Sequence, residues 1–449
     1  VRVEFPRSPV PLHDPPSHAY RRTMLMGRAC FLALSPFAAR QPPIRHRMCT
    51  EATLAPMLDT EAAPSWDTLQ QLVLDTPTGA RLSHEGEQRA RGQGPPHTAA
   101  ELRLFDAEDV SQVRLTLYRD SSAWCPYCQK VWLLLEEKRV PYKVVTLALN
   151  AYGYKPAWWT RRVDGGQLPA AEIDGELHLE SLAIMETIDQ LFSPDGAAGA
   201  WEGASPSTRP GAPLRMVPPA GSGAAERAEA MMRLEAELQR DWFSLVFYPS
   251  EGEALSAVRA RLLATLRRAD AALAATPGPW LLGGEGPALV DVHWVATVER
   301  LVASSLYFRG LVIRGRPDLP HLERWLVAWE ARQCYVASKS DHYTHAMALP
   351  SQNGPGYHDP ETAHVADAIF GLGGAWTRPL GEASHAAAAL EPLAPLQCSG
   401  GAAAARHEAA HALVSRRERV VAFAARGAAG PGRPAFAAEL ADPNAEPNP

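Results

Sequence analysis

Long apolar runs are missing from these 449 residues. None approaches the roughly 18 that a membrane-crossing helix needs, so a soluble chain is expected. Cysteine is scarce: 6 in such a length cannot form the disulfide framework of a secreted scaffold. Positive charge is not in excess either, with 44 Lys and Arg against 50 Asp and Glu and a net charge of −6. No basic footprint for nucleic acid follows from that balance. Acidic residues are absent from Pro15 to Thr50, where Arg21, Arg22, Arg28, Arg40, Arg45 and Arg47 surround an apolar patch, Ala29 to Ala39. That is the profile of an organelle transit segment, with Met24 or Met26 as candidate starts. Chloroplast is the expected destination, with mitochondrion or cytoplasm as alternatives; the plainer reading is a disordered Arg- and Pro-rich leader.

What is present is Cys125-Pro126-Tyr127-Cys128, while Cys30, Cys49, Cys334 and Cys398 stand isolated. The pair follows an apolar run (Val113, Leu115, Leu117) and opens an amphipathic stretch (Val131, Leu133, Leu134, Leu135). A strand turning straight into a helix places Cys125 at the helix N-terminus. There the dipole and the free backbone N–H groups favour the thiolate, the form that attacks disulfides. Zinc is the rival reading, but it takes four ligands and there is no second pair. A structural bridge this short would restrict little chain entropy. Thiol redox chemistry is the reading favoured, and no metal is expected.

After a helical candidate at Trp66 to Leu74, the segment Gly79 to Thr98 reads as an exposed connector. From Val113 the pattern is strand (Val113–Tyr118), helix (Pro126–Lys138), strand (Tyr142–Leu147), short helix (Pro156–Arg162), two strands (Ala170–Ile173, Leu177–Leu179) and helix (Ser181–Phe192). This suits a four-stranded mixed sheet of thioredoxin type. Ser193 to Gly223 is rich in Pro, Gly and Ala and marks a boundary. Beyond it, helical periodicities at Ala224–Phe247, Ala254–Ala275, Leu289–Phe308 and Leu319–Gln333 predict an all-α bundle. Tyr335 to about Leu380 reads as irregular, Ala402 to Ala425 as a last helix, and Gly427 to Pro449 as a disordered tail.

A thioredoxin-like module joined to an α bundle resembles the glutathione transferases. Tyr118-Arg119-Asp120 leading into Ala123-Trp124-Cys125-Pro126-Tyr127-Cys128-Gln129-Lys130-Val131-Trp132 resembles the iota class of photosynthetic organisms. So does Asp341-His342-Tyr343-Thr344-His345, which ordinary transferases lack. The resemblance spans roughly Trp66 to Ala425 and implies glutathione as co-substrate. On it, Glu180-Ser181 receives the γ-glutamyl carboxylate at a helix N-terminus. Leu168-Pro169 is a cis-proline turn whose residue Leu168 pairs its backbone with the cysteinyl part, and Lys155 takes the glycyl carboxylate. Read without the resemblance, these are an ordinary N-cap at Ser181, a trans turn at Pro169 and a solitary lysine.

The resemblance also implies the mechanism. Conjugating transferases activate glutathione with a Tyr or Ser hydroxyl where this chain has Cys125, which would instead attack a glutathione disulfide, hold glutathione and release it to a second glutathione. Cys128 is the candidate resolver. Deglutathionylation, thiol transfer and dehydroascorbate reduction are the expected reactions, on small-molecule or protein mixed disulfides, in a candidate homodimer. The alternatives are a conjugating transferase and a non-catalytic glutathione-dependent binding module whose partner surface is the C-terminal extension; truncation after Lys339 would separate the last. Iron–sulfur ligation is disfavoured by Pro126.

The expected division is a leader over 1–50, an N-terminal extension over 51–110, a thioredoxin-like glutathione-binding domain over 111–193 and a linker over 194–222. An all-α domain over 223–335, an accessory region over 336–426 and a tail over 427–449 complete it. Two departures from the family stand out. Ala288 replaces the Ser or Thr that precedes a buried Asp, here Asp291, and the turn at Asp174-Gly175 should be tight. His407-Glu408-Ala409-Ala410-His411 matches a zinc-protease motif, but on an Ala-rich helix with no third ligand tied to it. Gly371-Leu372-Gly373-Gly374 lacks the strand and helix that a nucleotide loop requires. Trp242, Phe243, Phe247 and Tyr248 read as core rather than as the lining of an acceptor groove.

Overall fold

Among the described residues two helices precede the sheet, where only one was expected. In the computed structural model, which describes residues 63–149, 155–193, 215–359, 362–365 and 401–421, α1 (Trp66–Leu74) is followed at once by α2 (Pro77–Ala90). The segment read as a connector is therefore largely helical. Thr76 caps α2 by accepting from the Gly79 N–H, and Pro77 fills the first turn. Arg81 and Arg89 both pair with Glu85 at i,i+4 spacing, which supports a polar helix. Gly79 disguised it, yet is required: a Cβ there would lie 1.9 Å from the Val73 carbonyl oxygen.

Five strands, not four, form the sheet, in the order β1 (Leu102–Arg103), β3 (Tyr142–Leu147), β2 (Leu115–Asp120), β4 (Ala170–Ile173), β5 (Glu176–Leu179). β2 and β3 run parallel, and the other pairs are antiparallel. The added strand β1 is short but anchored from within. Arg103, 1 % exposed, gives a bidentate pair to Glu136, which also accepts from the Tyr142 hydroxyl. The sheet thus begins before residue 111. β4 and β5 close through Asp174 and Gly175, both at positive φ, as a two-residue hairpin demands. The tight turn is present.

Alternation along β2 splits the packing. Leu115 and Leu117 join the main core beneath α3 (Pro126–Lys138), whereas Tyr118 packs with Leu147, Trp159 and Ala170 on the other face. That second face is covered by α4 (Ala157–Arg162). α5 (Ser181–Leu191) packs beside α3. Its buried Asp189 bonds Lys138 and the backbone N–H groups of Met216 and Val217, tying in the segment that leads to the bundle.

The bundle comprises α6 (Gly223–Phe247), α7 (Gly252–Ala274), α8 (Leu289–Arg309) and α9 (Pro320–Glu330). Every residue of α8 is buried, so it is the central helix. Trp242 is core, its indole donating to Ser304, while Tyr248 is exposed. The stretch after Tyr335 is helical in its first part, up to Asn353, and without regular structure over 354–359: α10 (Gln333–Ser338) is followed by α11 (His342–Asn353), capped by Asp341, which accepts from the Thr344 N–H. α12 (Gly401–Ser415) packs against α1 and α2, and Arg417 beyond it pairs with Asp67. All of these elements lie in one unit, Pro64–Pro449. Among the described residues no helix is long and apolar enough to cross a membrane. The leader over 1–50, the Gly371–Gly374 turn and the tail over 427–449 lie outside the described residues.

Ala288 is the N-cap of α8 and supplies no side-chain bond. Ala288→Ser should therefore add a hydroxyl acceptor for the first turn and raise stability by about 1 kcal/mol, read as a higher urea midpoint.

Candidate active site

Register in the sheet brings the expected site residues to one edge. Tyr118, Ala170 and Leu179 form one row across β2, β4 and β5. Just past that row lie Pro169, Glu180 and the Asp120–Cys125 turn into α3. The Leu168–Pro169 bond is cis. Glu180, at φ 66°, takes the N-cap position of α5, so Ser181 is the first helical residue rather than the cap; no side chain caps this end. Its backbone N–H groups are thereby aimed out of the helix end. Lys155 runs along the turn before the cis bond: a Cβ on Gly166 would lie 2.9 Å from its Cδ. Burial lowers its pKa, while the charges of Cys125 and Cys128 raise it, which places the ammonium within electrostatic reach of both sulfurs.

Cys125 is the N-cap of α3, with Pro126 in the first turn, where its fixed φ suits the helix and its missing N–H costs nothing. Both cysteines are free thiols. Cys125 is 7 % exposed and Cys128 1 % exposed. Their electrostatics differ in sign. A hydrogen bond from Cys128 pulls the Cys125 pKa down against burial, helped by the Arg300 charge. Burial pushes the Cys128 thiol well up, and its bond to Cys125 adds to that. The leading sulfur is therefore the readier of the two to ionise, with the second placed as its S–H donor.

Asp120 is the residue that the sequence reading passed over. It ends β2, is wholly buried, and its Oδ2 accepts from the Trp124 N–H at 2.7 Å and the Ser122 hydroxyl at 2.9 Å. Its Oδ1 has no hydrogen-bond partner. One of its oxygens lies within 4.8 Å of both sulfurs, the one such group of His, Cys, Asp or Glu donors among the described residues. Three donors fall one short of a closed tetrahedral zinc site, and the donors of His407, Glu408 and His411 are not gathered into such a group. Asp120 instead opposes the thiolate, since its charge raises the pKa of both thiols. Asp120→Asn keeps the acceptor for Trp124 and removes that charge, so Cys125 should titrate at lower pH. Iodoacetamide alkylation against pH reads the shift, and an unmoved or raised profile would contradict it.

A second set of buried groups surrounds the pair. The Trp124 indole donates to His345 Nδ1 at 3.0 Å, and Arg300 of α8 donates to the Trp124 carbonyl. Arg300 also donates to Gln129 Oε1 at 2.7 Å, and Gln129 donates in turn to Glu299 Oε2 at 2.9 Å. The thiol site is thus framed by the bundle as well as by the sheet.

Residues 124–191 match the family described as glutathione S-transferase, N-terminal domain. Protein IN2-1 homolog A of Oryza sativa subsp. japonica is 24 % identical over 221 residues, 49 % of this chain and 78 % of that protein. Glutathione S-transferase DHAR3, chloroplastic, of Arabidopsis thaliana is 32 % identical over 68 residues, 15 % of this chain and 25 % of that one. Among solved structures, Chlamydomonas reinhardtii dehydroascorbate reductase shares 18 % identity at a TM-score of 0.40, covering 54 % of this chain and 99 % of its own. The likeness to the glutathione S-transferases thus rests on residues 124–191, which match their N-terminal domain.

Proposed function

We propose that this protein is a glutathione-dependent thiol transferase that uses Cys125 as its nucleophile and removes glutathione from mixed disulfides. One observation carries the reading: Cys125 sits at the N-terminus of α3 with Cys128 one turn on, where the helix end and the Cys128 thiol both favour its ionised form. The Cys125 thiolate attacks the glutathione sulfur of a mixed disulfide, the S–S bond breaks, and the acceptor leaves as a thiolate that takes up a proton. A second glutathione thiolate then attacks the bound glutathione sulfur, giving oxidised glutathione and regenerating Cys125. Lys155, Leu168, Pro169, Glu180 and Ser181 are assigned to hold glutathione, because the cis bond, the α5 N-terminus and the lysine share one edge with the thiol.

Release by a second glutathione is favoured over closure of a Cys125–Cys128 disulfide, since the raised Cys128 pKa leaves little thiolate to attack with. Cys128→Ser is accordingly expected to keep most of the thiol transfer, because a hydroxyl still donates to Cys125. Cys128→Ala removes that donor and should move Cys125 titration to higher pH. The deciding experiment measures glutathione-dependent reduction of a small mixed disulfide, of glutathionylated protein and of dehydroascorbate, beside conjugation to an electrophile. Conjugation without thiol transfer by the wild type would count against this reading. Residues 1–50 are assigned as a chloroplast transit segment, to be tested by the destination of a fluorescent fusion in a photosynthetic cell.

A further inference from the structure

We infer that α11, through His345 in its first turn, is a working part of the thiol site that positions Cys125 rather than a separate module. The inference rests on the thiol-transfer reading above. Its ground is a buried polar chain that starts at the residue next to the nucleophile. An indole N–H can only donate, so His345 Nδ1 must accept from Trp124. The neutral ring then carries its proton on Nε2 and donates it to Glu299 Oε1 at 2.8 Å. Burial keeps the imidazole neutral by pushing its pKa down.

Glu299 gathers the rest. Its Oε1 also accepts from the Ser340 N–H at 2.9 Å and its Oε2 from Gln129. Although burial works against its charge, the His345 and Ser340 bonds and the adjacent Arg300 hold the carboxyl below its usual range. Gln129, one turn beyond Cys125 on α3, is engaged at both ends, by Glu299 and by Arg300. Arg300 closes the ring by donating to the Trp124 carbonyl, the carbonyl of the peptide that leads into Cys125. His345 is 0 % exposed, and Trp124, Gln129 and Arg300 are buried with it.

The chain has two consequences for the thiol. It fixes the Trp124 side chain and the following peptide plane, so the Cys125 sulfur is held at the helix end. It also sets the Arg300 guanidinium, 5.2 Å from the Trp124 ring, whose charge lowers the Cys125 pKa. A fully connected buried network resists piecemeal change, because each lost partner leaves another polar group unpaired. Truncation after Lys339 would remove His345, so it would not separate a partner surface from the chemistry.

The test compares wild type, His345→Leu, His345→Gln and Met347→Ala, the last on the exposed face of the same helix. Cys125 alkylation against pH and reduction of a glutathione mixed disulfide are measured on the full chain. His345→Leu should lift the Cys125 titration by about one pH unit and slow alkylation near neutrality about tenfold, with thiol transfer falling in step. His345→Gln, which presents an acceptor and a donor, should recover most of the loss, and Met347→Ala should match wild type. If His345→Leu does not fold, Trp124→Phe removes the indole donor, together with part of the buried ring, and should move the profile the same way. A wild-type profile in the folded Leu or Phe variant overturns the inference, as does an equal loss in the Leu and Gln variants. A wild-type Cys125 that never alkylates sinks the functional reading itself, and this inference with it.

Discussion

Cys125→Ser is expected to lose glutathione-dependent thiol transfer by about a thousandfold or more, a modest part of the million-fold or greater acceleration enzymes supply. The argument is chemical. The Cys125 thiol is brought towards ionisation by the Cys128 hydrogen bond and the Arg300 charge, and a serine hydroxyl in the same field stays protonated. It also cannot form the mixed disulfide on which both steps depend. Size and burial change little, since the side chain differs by one atom and the helix N-cap position favours serine. A folded but inactive variant is therefore expected, checked by kcat/KM with a mixed disulfide beside the denaturation midpoint. The same variant discriminates the conjugating alternative, because a hydroxyl could assist bound glutathione. Conjugation that rises in Cys125→Ser while thiol transfer was never present would move the assignment to that class.

Much of the sheet domain was legible because its signals are local. Pro126–Lys138 and Tyr142–Leu147 were read to the residue: a proline marks the helix start, and apolar spacing does the rest. What escaped depends on partners distant in the chain. β1 is two residues long and exists through Arg103 reaching Glu136, thirty-three positions on. α2 was hidden by two glycines, although the Thr76-Pro77 start and the Arg81–Glu85–Arg89 spacing were there to be read. At the site, Cys125 announced itself by motif, and the positions of Lys155, Leu168 and Glu180 came from resemblance rather than from pattern. Asp120 and His345 had no local signal that ties them to the thiol. His345 meets Trp124 across 221 positions, a juxtaposition created only when α11 folds back onto α8.

The largest stability effect should come from Asp291→Ala, expected to cost about 3–5 kcal/mol, a large share of the 5–15 kcal/mol that folded domains retain. Asp291 is 0 % exposed in the first turn of α8. Its Oδ1 accepts from the Leu281 N–H at 2.9 Å and the Trp325 indole at 2.8 Å, and its Oδ2 from the Ala288 N–H at 2.9 Å. One carboxylate thus fastens the loop before α8, the helix start and α9 together. Alanine leaves three donors unpaired in the core, each worth about 1–3 kcal/mol, partly offset by removing a buried charge. That charge has its own signature. Burial raises the Asp291 pKa to about 6 against the pull of those bonds, whereas an unfolded aspartate titrates near 3.9. The folded state then binds the extra proton between about pH 4 and 6. The associated stability is complete below about pH 4 and is lost as pH rises through about 6. Asp291→Asn, neutral throughout, should flatten the stability profile in that window as well as lower it. Urea midpoints from pH 4 to 7 read both effects, and an Asn variant that follows the wild-type slope would mean Asp291 is ionised across the whole range.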